Sequence, residues 1–267
     1  MSTTPRTAWR FASALAQGTA LVAASIYISQ TARRIAASSR LGVTDENVAS
    51  PSFLESPTVR NYVNPQNRES RAVDTHSVTL HVPLGKDISD ERILAQATRS
   101  FFNGWVFYLE AKALRLIRLD DSRYSKLAST TVPAHIWDAA ELSETSLPAP
   151  HTVLFGVFRL ADVELGDAAG EAAGGTGSSH ADFLFGSDMT QFAGCHRFSV
   201  ERQDVDVARE TQKVKVQLQC YACNPQSDAP TGGALLGFHR LYASALFRET
   251  AGQINRWLRS DDKFTSP

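Results

Sequence analysis

The sequence predicts an α+β fold in which a curved antiparallel sheet grips a long C-terminal helix, preceded by an N-terminal transmembrane or targeting helix. Two observations carry the α+β reading. One strand and two helical segments are followed by a series of strand-like runs, and residues 232–260 close the chain with apolar positions at helical spacing. A third observation sets the N-terminus apart. Residues 1–44 hold five arginines and no acid, so the chain divides into a targeting or anchor segment (1–44), a linker (45–74), one folded domain (75–260) and a tail (261–267). A net charge of -1 gives no electrostatic ground for a nucleic-acid partner. Three cysteines and no N-x-S/T sequon do not describe a disulfide-rich secreted domain, so a reducing compartment is expected.

Between Arg10 and Arg33 the run 11–32 is uncharged. As a helix it reaches ~33 Å, enough to cross a ~30 Å hydrocarbon core. Ala, Ser, Thr, Gln and Gly dilute its apolarity, while the Arg-rich, acid-poor surroundings resemble a mitochondrial transit segment. An anchor, a transit peptide and an anchor in a mitochondrial membrane are all consistent with these features; a secretory signal needs a tighter apolar core. From 45 to 74 three prolines and scattered Asn and Ser break any apolar period, which reads as a linker or extended arm on which Tyr62 and Val63 can dock.

In the folded part, Val78, Leu80 and Val82 alternate with polar residues and predict a half-buried strand over 76–85. Asp87 or Ser89 caps a helix whose inner face is Ile93, Leu94, Ala97 and Phe101. Asn103-Gly104 interrupts it, and Val106, Leu109, Ala113, Leu116 and Ile117 continue as a second helix over 105–117. Residues 151–165, rich in Val, Leu and Phe on both faces, predict one buried strand. A Gly/Ala/Ser loop at 166–180 precedes three further strands, at 181–188, 193–206 and 210–225. Leu235, Phe238, Leu241, Tyr242, Ala245, Leu246, Ile254, Trp257 and Leu258 give the last helix its apolar face.

This order is the helix-grip arrangement, and it resembles the START-like, or SRPBCC, superfamily of lipid and hydrophobic-ligand binding domains. More narrowly, DFLFGSDMTQFAGCHRFSVER, VKVQLQCYACNP and GFHRLYASALFRETAGQINRW are similar to an uncharacterised family within it. The matching positions are Phe185, Gly186, Gly194, Arg197, Phe198 and the helix from Phe238, with Phe185-Gly186-Ser187-Asp188 standing where that family has a Gly-Tyr-Gly style turn. The resemblance covers the last third of the chain, and the rest only by element order. It implies a hydrophobic or amphipathic small molecule held by Phe155, Phe158, Phe183, Phe185, Arg197, Phe198, Phe238 and Tyr242, with no cofactor. The function expected is that of a membrane-tethered START-like binding domain. An enzyme of hotdog-thioesterase or cyclase-like type, distinguished by a carboxylate or His with a partner near the helix, and a mitochondrial membrane adaptor without ligand are the alternatives.

The most signature-like stretch is Cys220-Tyr221-Ala222-Cys223. A redox dithiol requires the pair at a helix N-terminus, where the dipole lowers the thiol pKa. On a pleated strand Cys220 instead joins Val214, Val216 and Leu218 on one face, and Cys223 joins Tyr221 on the other. A zinc site needs further ligands, and the neighbours Cys195 and His196 diverge in the same way, so no metal is expected. The seven histidines show no H-x-x-x-H spacing and no Ser-His-Asp set can be assembled, so no catalytic residue is assigned. Glu110 reads most simply as an acid paired with Lys112, Arg115 or Arg118 on the second helix, a pocket acid being the other reading. Gly232-Gly233 before the last helix reads as a loop, with an anion cradle as the alternative.

Overall fold

The computed structural model describes residues 25–36, 38–118, 123–127, 134–166, 178–228 and 233–260. One curved eight-stranded sheet runs through it in the order β1-β2-β8-β7-β6-β5-β4-β3. The strands are β1 (Thr44–Glu46), β2 (Arg71–Pro83), β3 (His135–Ile136), β4 (Val153–Leu154), β5 (Phe158–Glu164), β6 (Ser178–Gly186), β7 (Ala193–Asp206) and β8 (Thr211–Cys223). All neighbours are antiparallel except β3 and β4. The helices are α1 (25–36), α2 (Pro51–Leu54), α3 (Asp90–Phe102), α4 (Tyr108–Ile117) and α5 (Gly233–Ser260). An α+β chain with a C-terminal helix across a curved sheet is therefore what the sequence order described.

The inner face of the sheet carries Val78, Leu80, Val82, Phe183, Phe198, Val200, Val214, Val216 and Leu218, which meet α3 and α5 in the main core. Ser89 caps α3, its hydroxyl accepting from the Arg92 amide at 3.2 Å, and Asp90 and Glu91 follow in the first turn, favourable against the helix dipole. Alternation along β8 sends Cys220 to this core and Tyr221 and Cys223 to the other face, and all three cysteines are free thiols. The CYAC pair is thus two buried thiols on opposite faces of the sheet, as its pleat requires.

The outer face is also covered, by the segment expected as a linker. β1 pairs with β2, which itself begins at Arg71 rather than His76, and Phe53, Val59 and Val63 are buried against Leu184, Cys195, Tyr221 and Cys223. Prolines and polar residues hid this because the segment uses single apolar anchors in a short helix and a π-helical turn (Val59–Val63) rather than a sustained period. Polar groups fix it: the Ser50 amide donates to Gln219 Oε1 at 2.7 Å, and Asn64 Nδ2 donates to the Tyr221 hydroxyl at 2.7 Å. Arg197 is enclosed beneath it, bonded to Asp182 at 2.6 and 2.7 Å with its guanidinium 4.9 Å from the Phe53 ring.

The run 151–165 is not one strand. Phe155 and Gly156 have φ of 53° and 72°, and the Val157 amide donates to the Leu154 carbonyl at 3.1 Å, closing a tight turn that folds β4 back on β5. Two consecutive positive φ values mark the type I′ hairpin turn, in which an apolar Phe does not advertise a turn position. α4 also begins at Tyr108 instead of 105, and Leu109, Leu116 and Ile117 on it are exposed. Of the Gly/Ala/Ser loop, 167–177 lie outside the described residues, as do Gly232 and the tail 261–267. So does most of the proposed span, 11–24; residues 25–32 lie in α1, where Tyr27 stacks on Trp105 at 5.4 Å and donates to the Trp105 carbonyl at 2.6 Å. Among the described residues no helix is long and apolar enough to cross a membrane.

If residues 50–63 are part of the fold, truncating their central anchor is costly. Phe53→Ala is expected to lower the unfolding free energy by about 3–5 kcal/mol in urea denaturation. A loss under about 1 kcal/mol, the scale of an ordinary surface change, contradicts the buried back face.

Candidate functional site

Where α5 crosses the inner face the core is not filled. A cavity of about 310 Å³ lies among Phe101, Phe107, Leu114, Phe158, Phe185, Ala243 and Leu246, with Glu110, His196, His239 and Tyr242 as its polar groups. An adjoining groove of about 710 Å³ shares Glu110, Phe192, His239 and Tyr242 and extends to Tyr27 and Thr31 of α1, Leu109 and Phe238. A glycine shapes the cavity wall. Gly194 faces Phe185 across the β6–β7 ladder, and a Cβ there would lie 2.1 Å from the Phe185 ring, so only glycine lets that ring lie flat on the strand.

The expected ligand residues are divided by this geometry. Phe158, Phe185 and Tyr242 line the cavity, while Phe238 and Tyr242 line the groove, their rings stacked at 6.0 Å. Phe155, Phe183 and Phe198 are core residues that line neither space. Arg197 is on the opposite face altogether, because it is out of phase with His196 and Phe198 on β7 and its charge is already taken by Asp182. It lines neither the cavity nor the groove.

Glu110 does not pair with the basic residues of its own helix. It accepts a 2.5 Å hydrogen bond from the Tyr242 hydroxyl across the gap between α4 and α5. Burial raises the carboxyl pKa above its usual range, opposed by that hydrogen bond, and burial together with the facing carboxylate pushes the Tyr242 phenol strongly up.

A second polar group sits at the cavity floor. Asp74, Cys220 and His196 lie in one row across β2, β8 and β7, and His76 and His239 flank it. His76 is held by two carboxylates, Nδ1 to Asp45 at 2.6 Å and Nε2 to Asp74 at 2.8 Å, while Arg248 of α5 bonds the other oxygen of Asp45. Burial disfavours charge on His76 and Asp74, yet their mutual hydrogen bonds and Asp45 win, raising the imidazole pKa and lowering that of Asp74. His196 is the opposite case. Burial, then His239, drop its pKa to about 3, so it is a neutral imidazole. Its two ring nitrogens, and Nε2 of His239, have no hydrogen-bond partner among the described residues. Burial above all, and then Asp74, keep the Cys220 thiol protonated. Reading the strand from His76 missed this row. Extending the Val82, Leu80, Val78 alternation back to His76 and Asp74 places both under the C-terminal helix, and the same parity places His196 beside Phe198.

Comparison with protein-family models, curated proteins and solved structures found no match for this chain.

Because the folded protein holds the Glu110 proton more tightly than the unfolded chain, the associated stability is full below the unfolded pKa of about 4.3 and is lost as pH rises through the folded value. Glu110→Gln keeps an acceptor for Tyr242 without the buried charge. Its melting temperature is expected to match the wild type in acid and to exceed it increasingly as pH rises above about 4.3; a difference independent of pH contradicts this.

Proposed function

We propose that the protein is a START-like, helix-grip binding domain that holds a hydrophobic or amphipathic small molecule between its sheet and C-terminal helix. The observation that carries the reading is the cavity under α5, walled by Phe101, Phe107, Phe158, Phe185 and Leu246 and polar only around Glu110, Tyr242, His196 and His239. Such a volume is at the small end of ligand pockets, and the adjoining groove extends it. An apolar body fits the phenylalanine walls, with one hydrogen-bonding head group at Tyr242 and Glu110. The groove reaches Tyr27 and Thr31, which belong to the uncharged run 11–32. A membrane tether through the earlier part of that run, in a mitochondrial membrane on the strength of the arginines that flank it, would bring the pocket mouth close to the membrane. A lipid or other apolar small molecule is the partner of choice.

An enzymatic reading of the cyclase-like kind has one specific observation in its favour. The raised Glu110 carboxyl, hydrogen-bonded to Tyr242 inside the pocket, is an acid–base pair near the last helix of the type such an activity uses. The two readings separate on turnover of a bound ligand, which a binding domain leaves unchanged.

Ala243 is buried in the cavity wall, so Ala243→Trp fills the space from α5. Titrating the protein with dansyl-undecanoic acid is expected to give saturable, blue-shifted emission in the wild type and affinity at least ~10-fold weaker in Ala243→Trp, a loss of about 1.4 kcal/mol. Equal binding by a folded Ala243→Trp variant contradicts a ligand under α5.

A further inference from the structure

We propose that His196, His239 and Cys220 form a binding site for a zinc-type divalent metal ion at the floor of the cavity. One donor atom from each residue, two imidazole nitrogens and a sulfur, lies within 4.8 Å of the other two. A tetrahedral zinc with Zn–S near 2.3 Å and Zn–N near 2.1 Å has donor-to-donor edges of roughly 3.3–3.6 Å, which small side-chain rotations reach from this starting geometry. The three residues come from different elements, β7, α5 and β8, and the pleat aims the two strand residues at the same face.

His196 supplies the independent sign of a ligand. It is 6% exposed, and neither ring nitrogen has a hydrogen-bond partner among the described residues. A buried donor or acceptor left unpaired is costly, and a buried side chain with two such atoms is the kind of exception that an ion explains. The ring is also held in place, with Phe185 at 4.5 Å and Phe158 at 6.0 Å between centroids. On α5, Nε2 of His239 is buried and unpartnered in the same way.

The neighbouring groups argue for this set rather than for the other clusters of potential ligands. In the group Asp74, His76 and Cys220, both His76 nitrogens are already bonded to carboxylates, so His76 has no lone pair to offer. In the group Asp162, His180 and Asp182, Asp182 is engaged by Arg197 through both oxygens. Asp74 is instead a neighbouring group, its carboxylate within 4.8 Å of the Cys220 sulfur and bonded to His76. Coordination replaces the Cys220 S–H bond with an S–metal bond and the proton leaves to solvent. A thiolate with two neutral imidazoles favours zinc over magnesium or calcium. Three protein ligands leave a fourth position, and both histidines line the cavity, so that position opens toward whatever occupies it. The inference does not depend on an apolar ligand being bound.

The test uses the full chain, stripped with chelator and titrated with zinc chloride or cobalt chloride. The expected result is stoichiometric binding, with tetrahedral cobalt d–d bands and a sulfur-to-cobalt charge-transfer band. Cys220→Ser is expected to abolish the charge-transfer band, whereas Cys195→Ser and Cys223→Ser retain it. His239→Gln, at a half-buried helix position, is expected to lose stoichiometric binding. Circular dichroism of the metal-free variants checks folding. Failure of the folded wild type to bind stoichiometrically, a six-coordinate cobalt spectrum, or a charge-transfer band that survives Cys220→Ser overturns the proposal, even where dansyl-undecanoic acid still binds.

Discussion

The molecule depends on the strict alternation of a sheet whose inner face is buried along its length and whose outer face is buried, at one end, under residues 50–63. β8 shows the constraint most clearly, since it lies between β2 and β7 and has no free edge. Every second residue from Val214 to Cys220 packs under α3 and α5, while Tyr221 and Cys223 pack under the segment that carries Phe53, Val59 and Val63. A one-residue slip would exchange the two sets and place Gln217 and Gln219 in the main core. At the Tyr221–Cys223 end, where each side has its own covering layer, register is specified twice.

That same alternation explains why polar residues gather beneath the last helix. Toward the end of β2 near Arg71 and the end of β8 near Cys223, the inner face changes from Val78, Val216 and Leu218 to Asp74, His76 and Cys220. The change coincides with the cavity, where α5 no longer fills the space above the sheet. A desolvated acid can exist there only if it is paired, and Asp74 is tied through His76 and Asp45 to Arg248 of the helix that covers it. The chain of bonds joins the edge strand β1, the sheet and α5 at the side of the pocket. His196 stands outside it, a neutral imidazole with no hydrogen-bond partner among the described residues.

Much of this was legible in the sequence, and the exceptions have identifiable causes. Long elements with a sustained period, α3, β7, β8 and α5, were readable because burial repeats along them. The opposite placement of Cys220 and Cys223 followed from parity alone. Local exceptions were harder: a type I′ turn at Phe155-Gly156 carries no polar marker, and the Phe53 to Val63 layer buries single residues without a repeat. Arg197 was assigned to the pocket from a resemblance in the chain, although its odd position on β7 already set it opposite Phe198. Which histidines meet Cys220 depended on strand pairing between residues far apart in sequence, and no spacing rule reports that.

Native-state hydrogen exchange along Thr211–Cys223 tests the two-sided burial most directly. If both faces are closed, the amides of β8 exchange only through global unfolding, including those from Leu218 to Cys223 beneath the Phe53 layer. Exchange of the Cys220–Cys223 end by local opening, while Val214–Leu218 remains protected, would contradict the account.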